Sequence, residues 1–577
     1  MKKPLKKIST QRILTLCYFF LVFLVLLLVI RPELLYQRQQ PVFFFGADFF
    51  TQQLDRPGGM LAWLSAFFSQ FYYVPAAGAL VMTLILALIS TLFRALLKKP
   101  LQLFPIVPLL VLHGVYDHEL AVDLGIAIAL LFTAVYSRLP LRIRPWLLPV
   151  LLVLLHSAIG GAALLFVLLC AVIEVIETRR VVVAAAAVLL AAVWPYISAR
   201  VLYLITLKDA YLGGTALITA CRPAWIAGLS YAVYPLLLVL DRLLRPAQRR
   251  VWIWLRTATL FGLSALALFM GWDRITRTLM QIDYHGHRGQ WEKVIEIART
   301  RGSAYGLVTY QLNRALYHSG RMAEELFAAP QRLGVDGLFI PPRFQHLVPL
   351  QHSDLFFDLG LVNEAQRWAH EALSVTGDTP YNLQRLAEIY LIKGERSAAG
   401  KCLRMLRRTL WFRSWAEKYL TAQDPLADDA RLRAARSRMP EQDFVIAPEH
   451  PQHFLRQLLN HRSGNRMAFE YLMAYDLLSG DLNHFMENIP LIRNFDINSL
   501  PESYQEAVVL VMSQTAASDF DLGGLNVNYR TVERYRRFTR ILKEHGNDRD
   551  AARAALRQEH AGTYWYYLIY IKPADGR

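Results

Sequence analysis

Residues 13–30 read ILTLCYFFLVFLVLLLVI, eighteen consecutive residues without a charged side chain. A helix that crosses a membrane needs about 20 mainly apolar residues. Four lysines, at positions 2, 3, 6 and 7, precede the stretch, and no small-x-small cleavage motif follows it. The stretch therefore predicts an uncleaved membrane anchor rather than a signal peptide that is removed.

Eight more apolar stretches follow and predict an all-α, polytopic bundle of about nine spanning helices. They cover residues 75–97, 101–116, 120–136, 146–157, 161–176, 181–197, 224–240 and 251–270. The third and fifth of the nine spans are short for a membrane helix.

Charge separates the chain into two parts. Residues 1–271 hold 24 Lys and Arg against 10 Asp and Glu, whereas residues 272–577 hold 39 against 36. Only 19% of all 577 residues are charged, compared with about 25% in ordinary soluble domains. We expect a transmembrane domain over 1–271 and a soluble domain over 272–577. Because most of the basic surplus lies between apolar stretches, it does not indicate a nucleic-acid partner.

The positions of the basic residues predict the orientation of the spans. With the N-terminus in the cytoplasm, 18 of the 24 Lys and Arg residues lie on the cytoplasmic side and six on the outer side. Basic residues accumulate on the cytoplasmic side of membrane proteins. An odd number of spans then places residues 272–577 outside. We therefore expect a multipass protein of a bacterial cytoplasmic (inner) membrane with a periplasmic C-terminal domain.

The second half has apolar residues at helical spacing and two segments that match at a fixed offset. Gly360 and Gly394 are 34 residues apart, and so are Ala365 and Ala399. Thirty-four residues is the period of tetratricopeptide helix pairs, in which glycine makes the turn and alanine allows close packing. The pattern predicts a tetratricopeptide-like helical-repeat domain, with weaker copies around Gly289, Gly320 and Gly480.

No nucleotide-binding, nucleophile-elbow or His-Glu-x-x-His motif occurs in the chain. The candidate site residues are therefore polar residues of the loops predicted to face outward. Asp48 stands among five phenylalanines, where desolvation would raise its pKa unless a cation compensates. The alternative is that Asp48 caps a short interfacial helix.

The loop after the third span carries His113, Asp117, His118 and Glu119, followed by Asp123. The remaining candidates are basic residues that can bind a lipid phosphate or anchor helix ends: Arg56, Arg200, Lys208 and Arg222.

Many spans, an acid in the first outer loop, further acids in the second and a soluble outer C-terminal domain resemble the GT-C class of integral-membrane glycosyltransferases. The resemblance covers roughly residues 13–271. It implies transfer of a sugar or glycan from a polyprenyl-phosphate donor to an extracytoplasmic acceptor. Asp48 would be the base or the metal-binding carboxylate, and Asp117 and Glu119 would shape the site. Arg200, Lys208 or Arg222 would neutralise the lipid phosphate. The resemblance leaves the cofactor unknown, with a divalent cation as the one considered.

The whole chain is also similar to a family of multipass membrane proteins from Bacteroidota to which no activity is assigned. The segments 55–59 (DRPGG), 67–71 (FFSQF) and 313–316 (NRAL) carry that likeness. Three functions therefore stay open. The first is a glycosyltransferase whose partners are membrane lipid, a polyprenyl-phosphate-linked sugar and a protein or glycan acceptor at the repeat domain. The second is a non-enzymatic scaffold for envelope protein assembly, and the third is a transporter.

Overall fold

A computed structural model describes residues 10–36, 42–116, 118–217, 224–243, 250–301, 306–340, 348–447, 449–515, 520–546 and 548–573. Helices make up 77% of the structure, and no strand occurs in these ranges. The predicted all-α class is confirmed.

The chain forms two compact units. Unit 1 consists of Met1–Arg277 together with Arg407–Arg413, and unit 2 consists of Thr278–Leu406 and Ser414–Arg577. No pattern in the sequence predicts that Arg407–Arg413 belongs to the first unit.

Unit 1 is built from helices and short turns. Its α-helices are α1 (Thr10–Val25), α2 (Pro32–Tyr36), α3 (Ala47–Gln53), α4 (Gly59–Ser69), α5 (Pro75–Leu96), α6 (Ile106–Gly114), α7 (Leu120–Tyr136), α8 (Arg144–Ile159), α9 (Ala163–Thr178), α10 (Val181–Ile197), α11 (Leu207–Leu212), α12 (Ala224–Leu243) and α13 (Arg250–Met270). Short 3₁₀ or π segments are Leu26–Ile30, Gln70–Tyr73, Gly160–Ala162 and Ser198–Leu202.

Six helices in the described ranges are long and apolar enough to cross a membrane, judged by length and composition. They are Thr10–Ile30, Pro75–Leu96, Arg144–Thr178, Val181–Leu202, Trp225–Leu243 and Trp252–Met270. These six helices indicate a membrane protein, as the sequence predicts. Of the other predicted spans, two fall on the shorter apolar helix Leu120–Tyr136 and on the nine-residue α6, and the third falls within Arg144–Thr178, where the sequence predicts two spans.

The segment Arg144–Thr178 reverses direction in its middle. Gly160 has φ +60°, between the end of α8 and the start of α9. Arg144 Nη1, at the start of α8, lies 3.5 Å from Glu174 Oε1, near the end of α9. A continuous helix would separate these residues by about 45 Å at 1.5 Å per residue. Helices α8 and α9 therefore form an antiparallel hairpin.

Hydrogen bonds join helix ends at one end of unit 1, which we call the basic end. The backbone amides of Lys98 and Lys99, after α5, donate to Asp241 in α12 at 2.8 and 2.6 Å. Arg242 donates to Glu177 in α9 at 3.0 Å. The hydroxyl of Tyr136, which ends α7, donates to Glu174 at 3.0 Å.

A second set of contacts joins the opposite ends of these helices, which we call the His118 end. The amide of Gly58, before α4, donates to the carbonyl of Ser157 in α8 at 3.0 Å. Gly161 donates to Gly213 at 2.8 Å. The Tyr116 hydroxyl donates to the carbonyl of Ile30 at 3.0 Å. These contacts bring the turns before α4, α7 and α9 to the same end of the unit.

Unit 2 is entirely helical within the described residues. Its α-helices are α14 (Arg274–His287, which begins in unit 1), α15 (Trp291–Arg301), α16 (Gly306–His318), α17 (Met322–Glu325), α18 (Val348–Leu359), α19 (Val362–Thr376), α20 (Pro380–Lys393), α21 (Arg396–Arg407), α22 (Arg413–Thr421), α23 (Ala430–Ser437), α24 (Pro451–His461), α25 (Arg466–Ser479), α26 (Leu482–Asn488), α27 (Glu502–Gln514), α28 (Tyr529–His545), α29 (Arg549–His560) and α30 (Tyr564–Tyr566). Short 3₁₀ or π segments are Leu326–Ala328, Gly334–Gly337, Ile489–Asn494 and Tyr567–Ile571.

The segments that match at an offset of 34 residues form two helical hairpins. Gly360 (φ +88°) separates α18 from α19, and Gly394 (φ +81°) separates α20 from α21. Both turns need a left-handed backbone that side chains disfavour. Ala365 and Ala399 are fully buried.

Candidate functional site

Asp48 lies in the first turn of α3, and its side chain is 70% exposed. Arg408 Nη2 donates to Asp48 Oδ1 at 2.6 Å. This hydrogen bond lowers the pKa of Asp48, so the carboxyl is ionised at neutral pH. Arg408 is a cation of the kind that the sequence requires to compensate for desolvation of Asp48. The nearby Phe43, Phe44 and Phe49 pack against one another and leave Asp48 exposed.

The segment Arg407–Arg413 holds the first loop of unit 1 in place. The amide of Phe45 donates to the carbonyl of Arg408 at 2.8 Å, and Arg408 Nε donates to the carbonyl of Phe45 at 3.0 Å. The Trp411 indole donates to the carbonyl of Gln70 at 2.7 Å. Its ring stacks on Tyr73 at 4.9 Å. The loop that carries Asp48 is therefore fixed by residues more than 330 positions away.

The second loop contains a buried cluster that we call the His–Asp cluster: His113, His118 and Asp123. His113 Nε2 and His118 Nε2 each lie 3.1 Å from Asp123 Oδ2, and all three side chains are at most 2% exposed. The imidazole rings meet edge to face with centroids 4.5 Å apart. The sequence places these residues in or next to a polar turn between predicted spans, but no local pattern predicts that their side chains converge and are buried.

Hydrogen bonds satisfy only some of the buried polar atoms in this cluster. His118 Nε2 is hydrogen-bonded to Asp123 Oδ2. His113 Nε2, His118 Nδ1 and Asp123 Oδ1 are buried and have no hydrogen-bond partner in the described structure. Buried polar groups are normally paired, so three unpaired atoms in one cluster call for an explanation.

Glu119 follows His118 of the cluster directly in the chain, and Arg56 of the first loop exerts its charge on the Glu119 carboxyl. It occupies the N-cap position of α7, and its carboxylate makes no capping hydrogen bond. Loss of hydration next to neighbouring protein atoms raises the pKa of Glu119, whereas the nearby His118 and Arg56 lower it by a smaller amount. The side chain nevertheless remains exposed. An accessible carboxyl with a raised pKa next to a guanidinium is a suitable general base.

The other predicted residues do not join this group. Arg200 and Lys208 are exposed and make no hydrogen bond or ion pair with other described residues. Asp48 makes no such contact with Arg56, His118 or Glu119. Asp117 and Arg222 lie outside the described residues. The structure thus brings together Arg56, His118 and Glu119 from the predicted set and adds His113 and Asp123.

Unit 2 has a groove of its own, of about 690 Å³, between α29 and the C-terminal residues, which we call the arginine groove. Arg332, Arg553 and Arg557 line it together with Tyr566 and Tyr570. All three arginines are exposed, and none makes an intramolecular ion pair with the described residues. Asp550 is the one acid in the lining. The groove suits an anionic ligand, because guanidinium groups form bidentate hydrogen bonds with phosphates and carboxylates.

Fold and site together define a helical membrane protein with a buried His–Asp cluster beside an accessible acid. The chain belongs to the family of unknown function DUF6057, which matches residues 6–571. This agrees with the expectation that nearly the whole chain forms one family without an assigned activity. Comparison with curated proteins and comparison with solved structures each gave no significant match.

Proposed function

We propose that unit 1 crosses the cytoplasmic membrane nine times and that its His118 end faces outward. The reversal at Gly160 supports two passes within Arg144–Thr178. Contacts join helix ends at the basic end and, separately, at the His118 end. This is the arrangement expected if the chain reverses direction at each turn. The basic end carries Lys98, Arg144, Arg180 and Arg242, and a surplus of basic residues favours the cytoplasmic side.

At the outward end the protein transfers a sugar or glycan from a polyprenyl-phosphate donor to an acceptor. One observation carries this proposal: Leu61 in α4 packs against Gly125 in α7, so the turns before these two helices, which carry Arg56 and Glu119, lie at the same end of unit 1. An acid that accepts a proton and a cation that stabilises a departing phosphate are the two groups that such a transfer needs. The unit 2 hairpins, in a tetratricopeptide-like array outside the membrane, would hold the acceptor.

The proposed step begins with attack by the acceptor's nucleophilic atom on C1 of the donor sugar. The bond between C1 and the phosphate oxygen breaks, and the lipid phosphate leaves with the electron pair. Glu119 takes the acceptor proton, and Arg56 lies where it can offset the negative charge of the leaving group. Asp48, tied to Arg408, is a positioning residue that fixes the loop leading to Arg56. Arg200 and Lys208, which are exposed and make no ion pair with the residues that the structure describes, remain available for the lipid phosphate.

The test is complementation of a strain that lacks the gene. Wild type is expected to restore the lipid-linked glycan and envelope glycoprotein profiles. Glu119→Gln is expected to fail and to let the lipid-linked donor accumulate, because an amide cannot accept the proton. Asp48→Asn is expected to retain partial function.

Asp209→Asn is the matched control, because Asp209 is another acid in a loop predicted to face outward and asparagine can replace it in the first turn of α11. Equal membrane abundance of all variants is checked first. The proposal is refuted if deletion leaves both glycan profiles unchanged, and the assignment of the base is refuted if Glu119→Gln complements fully.

The arginine groove favours a second candidate, a non-enzymatic scaffold that presents unit 2 to an anionic envelope partner. This function needs no chemistry at Glu119. It is supported if Glu119→Gln complements the deletion whereas charge reversal in the groove does not.

A further inference from the structure

We propose that His113, His118 and Asp123 form a binding site for one divalent transition-metal ion. The ligands would be the Nε2 atoms of the two imidazoles and the carboxylate of Asp123. Their ligand atoms all lie within 4.8 Å of one another. The inference does not depend on the glycosyl transfer proposed above.

The spacing of the cluster fits a shared ion. Two ligands bound at 2.0–2.1 Å, with bond angles between 90° and 110°, lie about 2.9–3.4 Å apart. Both His–Asp distances, 3.1 Å, fall within that range. The two imidazole nitrogens lie within 4.8 Å of each other, so a shared ion would bring them to the same spacing while each keeps its distance from Asp123.

A hydrogen-bonded cluster without an ion explains these contacts less well. His113 Nε2 lies 3.1 Å from Asp123 Oδ2 and yet makes no hydrogen bond with it. Asp123 Oδ1 is also unpaired, and the side chain of Asp123 is 1% exposed. Leaving a buried carboxylate oxygen without a partner destabilises the folded protein, because the oxygen loses its hydration and gains no hydrogen bond in return. A metal ion would bind both atoms and remove that cost.

The ligand set indicates the class of ion. Imidazole nitrogen favours zinc, iron, cobalt and related ions, whereas magnesium and calcium prefer sites made of oxygen alone. Three protein ligands leave at least one position for water or another ligand, the arrangement of zinc sites that are not purely structural.

The experiment measures metal bound to the full-length protein in lipid nanodiscs, purified through a tag without histidine. The protein is stripped with chelator, dialysed separately against Zn²⁺, Co²⁺, Mn²⁺ and Fe²⁺, and analysed by mass spectrometry of the metal. Wild type is expected to retain about one equivalent of at least one ion. His118→Gln is expected to weaken binding at least tenfold.

Two further variants separate a binding role from a structural one. His156→Gln is the matched control, because His156 is a buried histidine of the same unit that contacts a backbone carbonyl at 2.9 Å and lies outside the cluster. It is expected to leave binding unchanged. His118→Cys supplies another metal ligand and is expected to retain Co²⁺ with a new thiolate-to-cobalt absorption band. Absence of stoichiometric metal in wild type, or equal retention by wild type and His118→Gln, overturns the proposal.

Discussion

Replacing Arg144 by methionine tests the hairpin that positions the His118 end. Arg144 is buried, lies 3.5 Å from Glu174, and donates to the carbonyls of Leu139 and Ser137 at 3.1 and 2.6 Å. Methionine keeps most of the aliphatic volume but leaves the Glu174 carboxylate buried without a cation. Breaking a buried ion pair in this way costs about 3–5 kcal/mol.

The double variant Arg144→Met, Glu174→Gln separates the free-energy cost of the uncompensated Glu174 charge from the cost of the lost arginine hydrogen bonds. It removes the uncompensated charge but still lacks the two hydrogen bonds to backbone carbonyls, each contributing about 1 kcal/mol. We therefore expect the double variant to remain about 2 kcal/mol less stable than wild type. The difference between Arg144→Met and the double variant, about 1–3 kcal/mol, then gives the cost of leaving the Glu174 carboxylate buried without a cation.

The assay is equilibrium unfolding of the full-length protein in mixed micelles with increasing SDS. Arg142→Met is the control, because Arg142 is exposed two residues away and surface changes usually stay within about 0.5 kcal/mol. If Arg144→Met is no more destabilising than Arg142→Met, the ends of α8 and α9 do not meet and the reversal at Gly160 is refuted.

Two further predictions concern unit 2. Burial raises the pKa of Asp476 to about 6, although the amides of Gln452 and Asn488 donate to its carboxylate. Because the folded state then binds this proton more tightly than the unfolded state, the stability contributed by Asp476 is fully present below about pH 4, and about 3 kcal/mol is lost as pH rises through 6. Asp476→Asn should flatten that part of the thermal-unfolding profile between pH 4 and 7, and parallel profiles for wild type and variant would contradict the argument. In the arginine groove, Arg553→Glu with Arg557→Glu should elute from a heparin column at lower salt than wild type. Arg537→Glu with Arg540→Glu changes the net charge equally at two exposed arginines outside the groove lining and should shift elution less. Equal shifts for the two would exclude the groove as the anionic site.

The position of Asp48 shows why the sequence could identify a residue without its role. An acid among phenylalanines predicts a desolvated carboxyl, and the residues next to Asp48 in sequence place it in a loop. Its partner, Arg408, lies 360 positions later in the chain. No local pattern connects the two, so the charge state of Asp48 could be decided only by the fold.

The sequence by itself determined the helical class, the membrane character of the first part and the glycine turns at 360 and 394. These features depend on the hydrophobicity of consecutive residues and on local backbone preferences, both of which are properties of a short segment. The tertiary structure alone decided that α8 and α9 reverse at Gly160, that Arg408 pairs with Asp48, and that His113, His118 and Asp123 converge in a buried cluster. Such contacts depend on how helices pack in three dimensions, and the spacing of residue types along the chain does not specify that packing.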